Sequence, residues 1–394
     1  FSFNYYKLEP RSETDWVNVG EAVNPPVISK LSRDLGIPTS ADQVTVTCEV
    51  VDSNEGGTIA GVKLYYGTEG GTAVSVDMSY DAGTTVATGV IPAMADGDVV
   101  WYYVEATDND NDVAVYPADL SGPLPFFIVR DGNVRIRDIK YTPYSDGVPG
   151  CNGFSSITTR GILTAGPNLG MYFIQDGTDP WSGIQIYANN IKDQGLEVGD
   201  DITVTGKAGV RFGIVQLSNV TVDENHGKGT LPEPVMLSTG TFLTGGVADG
   251  DLTAEPYEGM LVAFETLTVT SDNADAPSGN FGEFLVTDGS GDMRVDDAGT
   301  WDAVYTTDSS DTGLTYLKPG TTIDGLKGIM YFSFDNWKLE PRDEDDFDNV
   351  VTSITFAPAL VSDITLHQNY PNPFRSEAGT TVRFDIPRQS QVSL

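Results

Sequence analysis

Residues Phe332–Phe347 read FSFDNWKLEPRDEDDF, and residues Phe1–Trp16 read FSFNYYKLEPRSETDW. Ten of the 16 aligned positions are identical, the block Lys-Leu-Glu-Pro-Arg among them, across a separation of 331 positions. A match of that length is a repeat. Near the C-terminal side it closes a module as a long hairpin. Phe1–Trp16 would be the last hairpin of a preceding copy, whose other strands lie upstream or in another molecule.

Working back from Phe332, the region from about Asp131 to Val350 divides into two copies of one unit. The first contains FIQDGTDPWSGIQIY and EVGDDITVTGKAGVRFGIVQLSNVTVD. The second contains FLVTDGSGDMRVDD and KPGTTIDGLKGIMYFSFDNWKLEPRDED. Asp176–Gly177 match Asp288–Gly289, Ser182–Gly183 match Ser290–Gly291, Gly206 matches Gly328, and Leu217 matches Leu339. Asp-Gly and Ser-Gly pairs form turns because glycine accepts positive φ without steric cost. A unit of about a hundred residues with five strands and a glycine at a central bend predicts a small closed barrel of the OB type.

Upstream, Pro25–Arg130 carries QVTVTCEVVD, AGVKLYYGT, ATGVIPA and DVVWYYVEATDNDNDVAVYP as successive strands. Seven or so short strands in about a hundred residues predict an immunoglobulin-like or fibronectin-like sandwich. Val100, Tyr102 and Val104 alternate with Trp101, Tyr103 and Glu105, so one of these faces is core. No convincing amphipathic helix is present. The expected class is therefore all-β: an immunoglobulin-like sandwich followed by two OB-like barrels. The expected segments are 1–20 (terminal strand and linker), 21–130 (sandwich), 131–229 and 230–350 (barrels), and 351–394 (linker and a terminal sorting segment).

The chain has 394 residues, 57 Asp and Glu against 22 Lys and Arg, and a net charge of −35. Such a surface repels duplex DNA and anionic membranes, which argues against nucleic acid as a partner. No run approaches the roughly 18 apolar residues needed to span a bilayer, and no signal peptide is evident. The two cysteines, Cys48 in a strand and Cys151 in a Gly/Pro-rich loop, are expected to be separate thiols.

Catalytic signatures are missing from the sequence. There are two histidines, His226 and His367, and no HExxH, CxxC, GxSxG or P-loop. With 57 acidic residues some carboxylate pair is always available, so the count carries no glycosidase signal. The expectation is a non-enzyme. TDNDND places Asp108, Asp110 and Asp112 at alternate positions, a pattern of hard oxygen ligands that suits calcium, the one candidate cofactor. Position six of the EF-hand loop is Val113 rather than glycine. Asp296–Asp297 and Asp343–Asp348 are read as solvated acidic faces. Trp181, Tyr187 and Trp337 are candidates for a stacking platform that would bind surface glycans.

LHQNYPNPFRSEAGTTVRFDIPRQSQVSL, from Leu366, is similar to the opening of the type A C-terminal sorting domain of type IX secretion substrates. Gln368, Asn369, Tyr370, Pro371, Asn372, Pro373 and Phe374 match its first motif, TTVRFDIP its first strand and QVSL the start of its second. The family pattern continues for several more strands, so the sorting domain is incomplete here. The sandwich resembles immunoglobulin-like modules of large bacterial surface proteins. YFIQDGTDPWSGIQIY, EPYEGMLVAFETLTV, GEFLVTDGSGDMRVDD and YFSFDNWKLEPRDEDDF resemble the tandem OB-like modules of extracellular proteins from Bacteroidetes, Rhodothermus-type and related bacteria. These resemblances imply an extracellular or cell-surface protein exported by the type IX machinery. The leading expectation is a non-catalytic structural component of a filament, sheath, surface layer or adhesin, self-associating head to tail through terminal strands. The alternatives are an accessory region of a secreted hydrolase or nuclease, and a set of carbohydrate-binding modules.

Overall fold

The computed structural model describes residues 24–352 and, further on, the paired short strands Thr365–Leu366 and Phe384–Asp385. The repeat copy Phe1–Trp16, His367 and the sorting motif Gln368–Phe374 lie outside the described residues. The protein is all-β. Its α-helix, among the described residues, is the five-residue Ile136–Lys140.

The sandwich is built from β1 (Val27–Arg33), β2 (Val44–Val51), β3 (Ile59–Thr68), β4 (Val74–Asp77), β5 (Ser79–Asp81), β6 (Val86–Ile91), β7 (Val99–Asp108), β8 (Val113–Tyr116) and β9 (Phe126–Ile128). One sheet runs β1-β2-β6-β5. The other runs β4-β3-β7-β8, with β9 also on β7. Period-2 alternation along β7 settles which side is core: Val100, Tyr102, Val104 and Ala106 are buried against Val46, Cys48, Leu64 and Phe127. Trp101 and Tyr103 point outward, and Tyr103 stacks on Tyr65 with ring centroids 4.7 Å apart.

The first barrel comprises β10 (Ile157–Ala165), β11 (Tyr172–Gln175), β12 (Gly183–Tyr187), β13 (Asp200–Arg211) and β14 (Ile214–Lys228). It closes in the order β10-β11-β12-β14-β13, with β12 and β14 parallel and β13 returning antiparallel to β10. The second barrel follows β15 (Val235–Met236) and comprises β16 (Leu261–Ser271), β17 (Phe284–Thr287), β18 (Met293–Val295), then, after the short pair β19 (Tyr305–Thr306) and β20 (Thr315–Tyr316), β21 (Thr322–Ser333) and β22 (Asn336–Glu340), with β23 (Phe347–Val351) on its edge. Its ring β16-β17-β18-β22-β21 closes through β16–β21, and β18 and β22 are parallel. Strand for strand this is the same five-stranded topology, the one an OB barrel has.

The two barrels share a register. Leu217 pairs with Ile186 and Leu339 with Val295, each across the parallel step. Gly206 and Gly328 sit 11 residues before these leucines. A Cβ at Gly206 would lie 3.1 Å from Ser218 O, and one at Gly328 would lie 2.7 Å from Glu340 C, so the fifth strand's backbone occupies that space in both barrels. Asp176 and Asp288 also share a role. Asp176 Oδ2 accepts the amide of Ile136 (2.8 Å), and Asp288 accepts the amide and hydroxyl of Thr239 (3.1 and 2.7 Å). Each pins the segment that leads into its barrel.

The barrels pack on one another. Ala165, Leu169 and Phe173 share an apolar cluster with Leu261 and Ile329. Lys140 Nζ, fully buried, donates to Glu258 Oε1 (2.6 Å) and to Glu258 O (2.8 Å), while the Val215 amide donates to the same carboxylate at 3.2 Å. The Lys-Leu-Glu-Pro-Arg block now has a physical account, because its charged members are buried. Lys338 pairs with Glu283 and Asp296, and Glu340 is 1 % exposed. Arg342 grips Asp346 with two bonds (2.9 and 2.6 Å) and reaches Thr164 O of the first barrel at 3.0 Å. A buried charge without its partners costs several kcal/mol, which explains why these positions are held together. The acidic runs expected to be solvated are therefore partly structural: Asp346 is 2 % exposed and Asp296 pairs with the buried Lys338.

Candidate functional site: the barrel faces and their hairpin tips

Each barrel's fourth and fifth strands are joined by a two-residue turn with an aromatic residue at its tip. Phe212 lies five residues before Leu217, and Phe334 five before Leu339. They are the most exposed large apolar residues among those described, at 83 % and 90 %. Both adopt positive φ (55° and 48°), and so do the residues after them, Gly213 (84°) and Asp335 (59°). Two successive positive φ values define the tight hairpin turn that favours Asn-Gly, and a phenylalanine there is sterically costly. Strain of this kind clusters at functional elements, and here it is kept at both tips with the ring exposed. Phe3 occupies the matching position of the sequence repeat Phe1–Trp16.

Beside Phe212 the face of the first barrel opens into a cavity of about 400 Å³. Its wall comes from strands β11, β12 and β14 (Tyr172, Gln185, Tyr187, Gln216), the loop before β11 (Gly170, Met171), the hairpin (Arg211, Phe212), and Tyr331 of the second barrel. Tyr187 is 40 % exposed and its hydroxyl donates to Asn189 Oδ1 at 3.0 Å. The Arg211 guanidinium lies 5.8 Å from the Tyr187 ring centre and 5.2 Å from that of Phe212. A second groove, about 520 Å³, continues from Phe212 past Tyr331 to Phe334, with Asp249 on its wall. The two tips thus flank one cleft that crosses the barrel joint.

The corresponding face of the second barrel is occupied differently. Gln185 pairs with Gln216 in the first barrel, and the same register in the second pairs Arg294 with Lys338. Arg294 bonds Asp275 (2.9 Å) and Glu283 (2.7 Å), and Lys338 bonds Glu283 and Asp296. A lattice of internal ion pairs fills the place that the glutamines leave open.

The expected stacking residues divide. Tyr187 lines the cavity. Trp181 and Trp337 do not: they are 7 % and 2 % exposed, Trp181 against Tyr141 and Trp337 against Phe332 and Phe242. Trp337 belongs to the inward-facing set of β22, where bulky rings are core, and Trp181 is a turn residue between β11 and β12 whose amide donates to Pro256 O at 2.6 Å. Phe212 and Phe334 were missed because a turn residue carries no alternation. The constant five-residue offset to Leu217 and Leu339 was the signal that could have found them.

The other candidates lie elsewhere. Asp108, Asp110 and Asp112 form the β7–β8 tip of the sandwich. Asp108 is fully buried; its Oδ1 accepts the amides of Asp110 (2.9 Å) and Asp112 (2.8 Å), and its Oδ2 has no hydrogen-bond partner. Asp52 Oδ2, in the β2–β3 loop, is likewise buried and unpartnered, and Asn54 Nδ2 ties that loop to Asp110 Oδ2 at 3.1 Å. Among the described residues no three His, Cys, Asp or Glu side chains are gathered as a ready metal shell. His226 is bonded to Thr203 Oγ1 (2.9 Å) beside Glu224, near the end of β14. Cys48 and Cys151 are free and buried, their thiols pushed up by burial to about 11 and about 12.

No family model matches the chain, and no curated protein does. Among solved structures, the glycoside hydrolase family 64 laminaripentaose-producing β-1,3-glucanase of Paenibacillus barengoltzii matches in two forms, one complexed with laminarihexaose. Each shows 15% identity over 52% of this chain, and the TM-score is 0.17. The match spans 44% of the glucanase's length. At that TM-score the likeness carries no argument about fold or activity.

Proposed function

We propose that the chain is a non-catalytic, extracellular glycan-binding region of a modular surface protein, exported through the sorting segment that begins near Leu366. The observation that carries this reading is the pair of solvent-exposed, backbone-strained phenylalanines, Phe212 and Phe334, flanking a single cleft across two barrels. The face and loops that line the cavity are those through which OB barrels take oligonucleotides and oligosaccharides, and a net charge of −35 favours a sugar. The test is binding of the protein to an array of soluble and insoluble polysaccharides. Retention that is lost in Phe212→Ala and Phe334→Ala, with folding intact, supports the reading. Equal binding by wild type and both variants removes the cleft from it.

A second reading, a load-bearing building block that polymerises through terminal strands, is favoured by the buried clasp between the barrels, where Lys140, Glu258 and Arg342 join elements that would otherwise hinge. Electron microscopy of the native material separates it: ordered filaments support it, and dispersed particles sink it.

A further inference from the structure

We propose that the glycan taken by the first barrel is acidic, a chain of uronate sugars whose carboxylates meet Arg211 and Lys192. The inference rests on the glycan-binding reading and names its ligand class. Acidic residues outnumber basic ones 57 to 22 in this protein, yet the cavity beside Phe212 is lined by two cations, Arg211 and Lys192, and by no Asp or Glu, the acids Asp249 and Asp335 lying on the groove that continues to Phe334. Neither side chain makes a hydrogen bond or ion pair among the described residues, and both are exposed.

Contrast with the second barrel sharpens the point. There the face is held by Arg294 and Lys338, at the places of Gln185 and Gln216, and both cations are consumed by Asp275, Glu283 and Asp296. In the first barrel the cations are left for something that arrives from outside. Tyr187 and Phe212 bracket the Arg211 guanidinium. This arrangement holds the planar fork in place and leaves its edge for bidentate contact with a carboxylate. The same rings offer apolar faces to the C–H side of a sugar. The net charge of −35 opposes a polyuronate as it opposes nucleic acid, so the attraction is local, confined to carboxylates within about 8 Å of Arg211 and Lys192 at physiological salt. Two cations are too few for a nucleic-acid track, which neutralises a phosphate at each step.

The experiment is calorimetric titration of the whole chain with polygalacturonate and with fully methyl-esterified polygalacturonate, the same sugar without its charge. A polyuronate affinity at least about tenfold above the ester is expected, as one charge-assisted bond contributes. Added salt should shrink the difference, and Arg211→Gln with Lys192→Gln should abolish it. Both residues are exposed, so an unchanged thermal midpoint verifies that the double variant folds. Equal binding of acid and ester overturns the inference and leaves the glycan reading standing. Binding of single-stranded DNA more tightly than polygalacturonate overturns it too. No binding to these or to any neutral polysaccharide removes the glycan reading itself, and the inference with it.

Discussion

Phe212 and Phe334 occupy the same step of two barrels, each at the first position of a left-handed turn and five residues before the leucine that pairs in parallel with the third strand. Their rings are 83 % and 90 % exposed, so truncation removes little buried contact. Phe212→Ala and Phe334→Ala should leave the thermal midpoint within about 2 °C of wild type. Each should weaken glycan binding about fivefold, the effect of one aromatic contact. Titration calorimetry paired with a melting curve checks both halves.

Lys140 is a different case, because it is buried on Glu258 at the barrel joint. Lys140→Met leaves that carboxylate without its cation and should cost about 3–5 kcal/mol of stability. Urea unfolding measures it. Adding Glu258→Gln, which keeps an acceptor for the Val215 amide, should recover most of the loss. If the single variant is as stable as wild type, the clasp does not hold the joint.

Glu255, fully buried, is pushed up from 4.5 to about 8, by burial first and by the neighbouring Glu258 carboxylate second. Below pH 4.5 it is protonated in folded and unfolded chains alike. Between 4.5 and 8 the unfolded chain gives up a proton that the folded chain keeps, so stability falls as pH rises, by about 1.4 kcal/mol per unit at most for one group. Glu340, raised by burial, acts in the same direction. Asp288, held down to about 2 chiefly by hydrogen bonds from Ser290 and Thr239 against the cost of burial, acts below this window, where its contribution is lost as pH falls. Urea midpoints from pH 5 to 8 should decline in wild type, and Glu255→Gln should flatten the slope.

The sandwich tip makes the fourth prediction. Asp108 Oδ2 and Asp52 Oδ2 are buried and unpartnered in two loops that Asn54 ties together, and an unsatisfied buried carboxylate oxygen is costly. We expect calcium to raise the thermal midpoint by several degrees relative to chelator. Asp110→Asn with Asp112→Asn should abolish the rise. Magnesium matching calcium in effect, or no shift at all, counts against the site.

The barrels were legible because spacing survives where similarity is thin: Gly206 and Gly328, Leu217 and Leu339 carried the register of the parallel step into two segments of different length. Side-chain direction in a closed ring was not legible. Alternation assigns two faces to a strand but does not say which one a five-stranded barrel turns inward, and Trp337 was placed on the wrong side for that reason. The charged block at Lys338–Arg342 reads as surface by composition. Only its partners, Glu283 on one side and Asp346 on the other, make it interior. The open face of the first barrel depends on a contrast between Gln185–Gln216 and Arg294–Lys338 that appears once the strands are paired.

Gly183 lies against the backbone of Gly259 and Met260, where an added Cβ would sit 2.6 Å from Gly259 C and 2.7 Å from Met260 N. At this point the two barrels meet main chain to main chain, beside the side-chain cluster of Phe173, Leu261 and Ile329. A joint closed this tightly would act as a caliper with its screw tightened: if the cleft takes the proposed glycan, the spacing of Phe212 and Phe334 would select it by its own repeat.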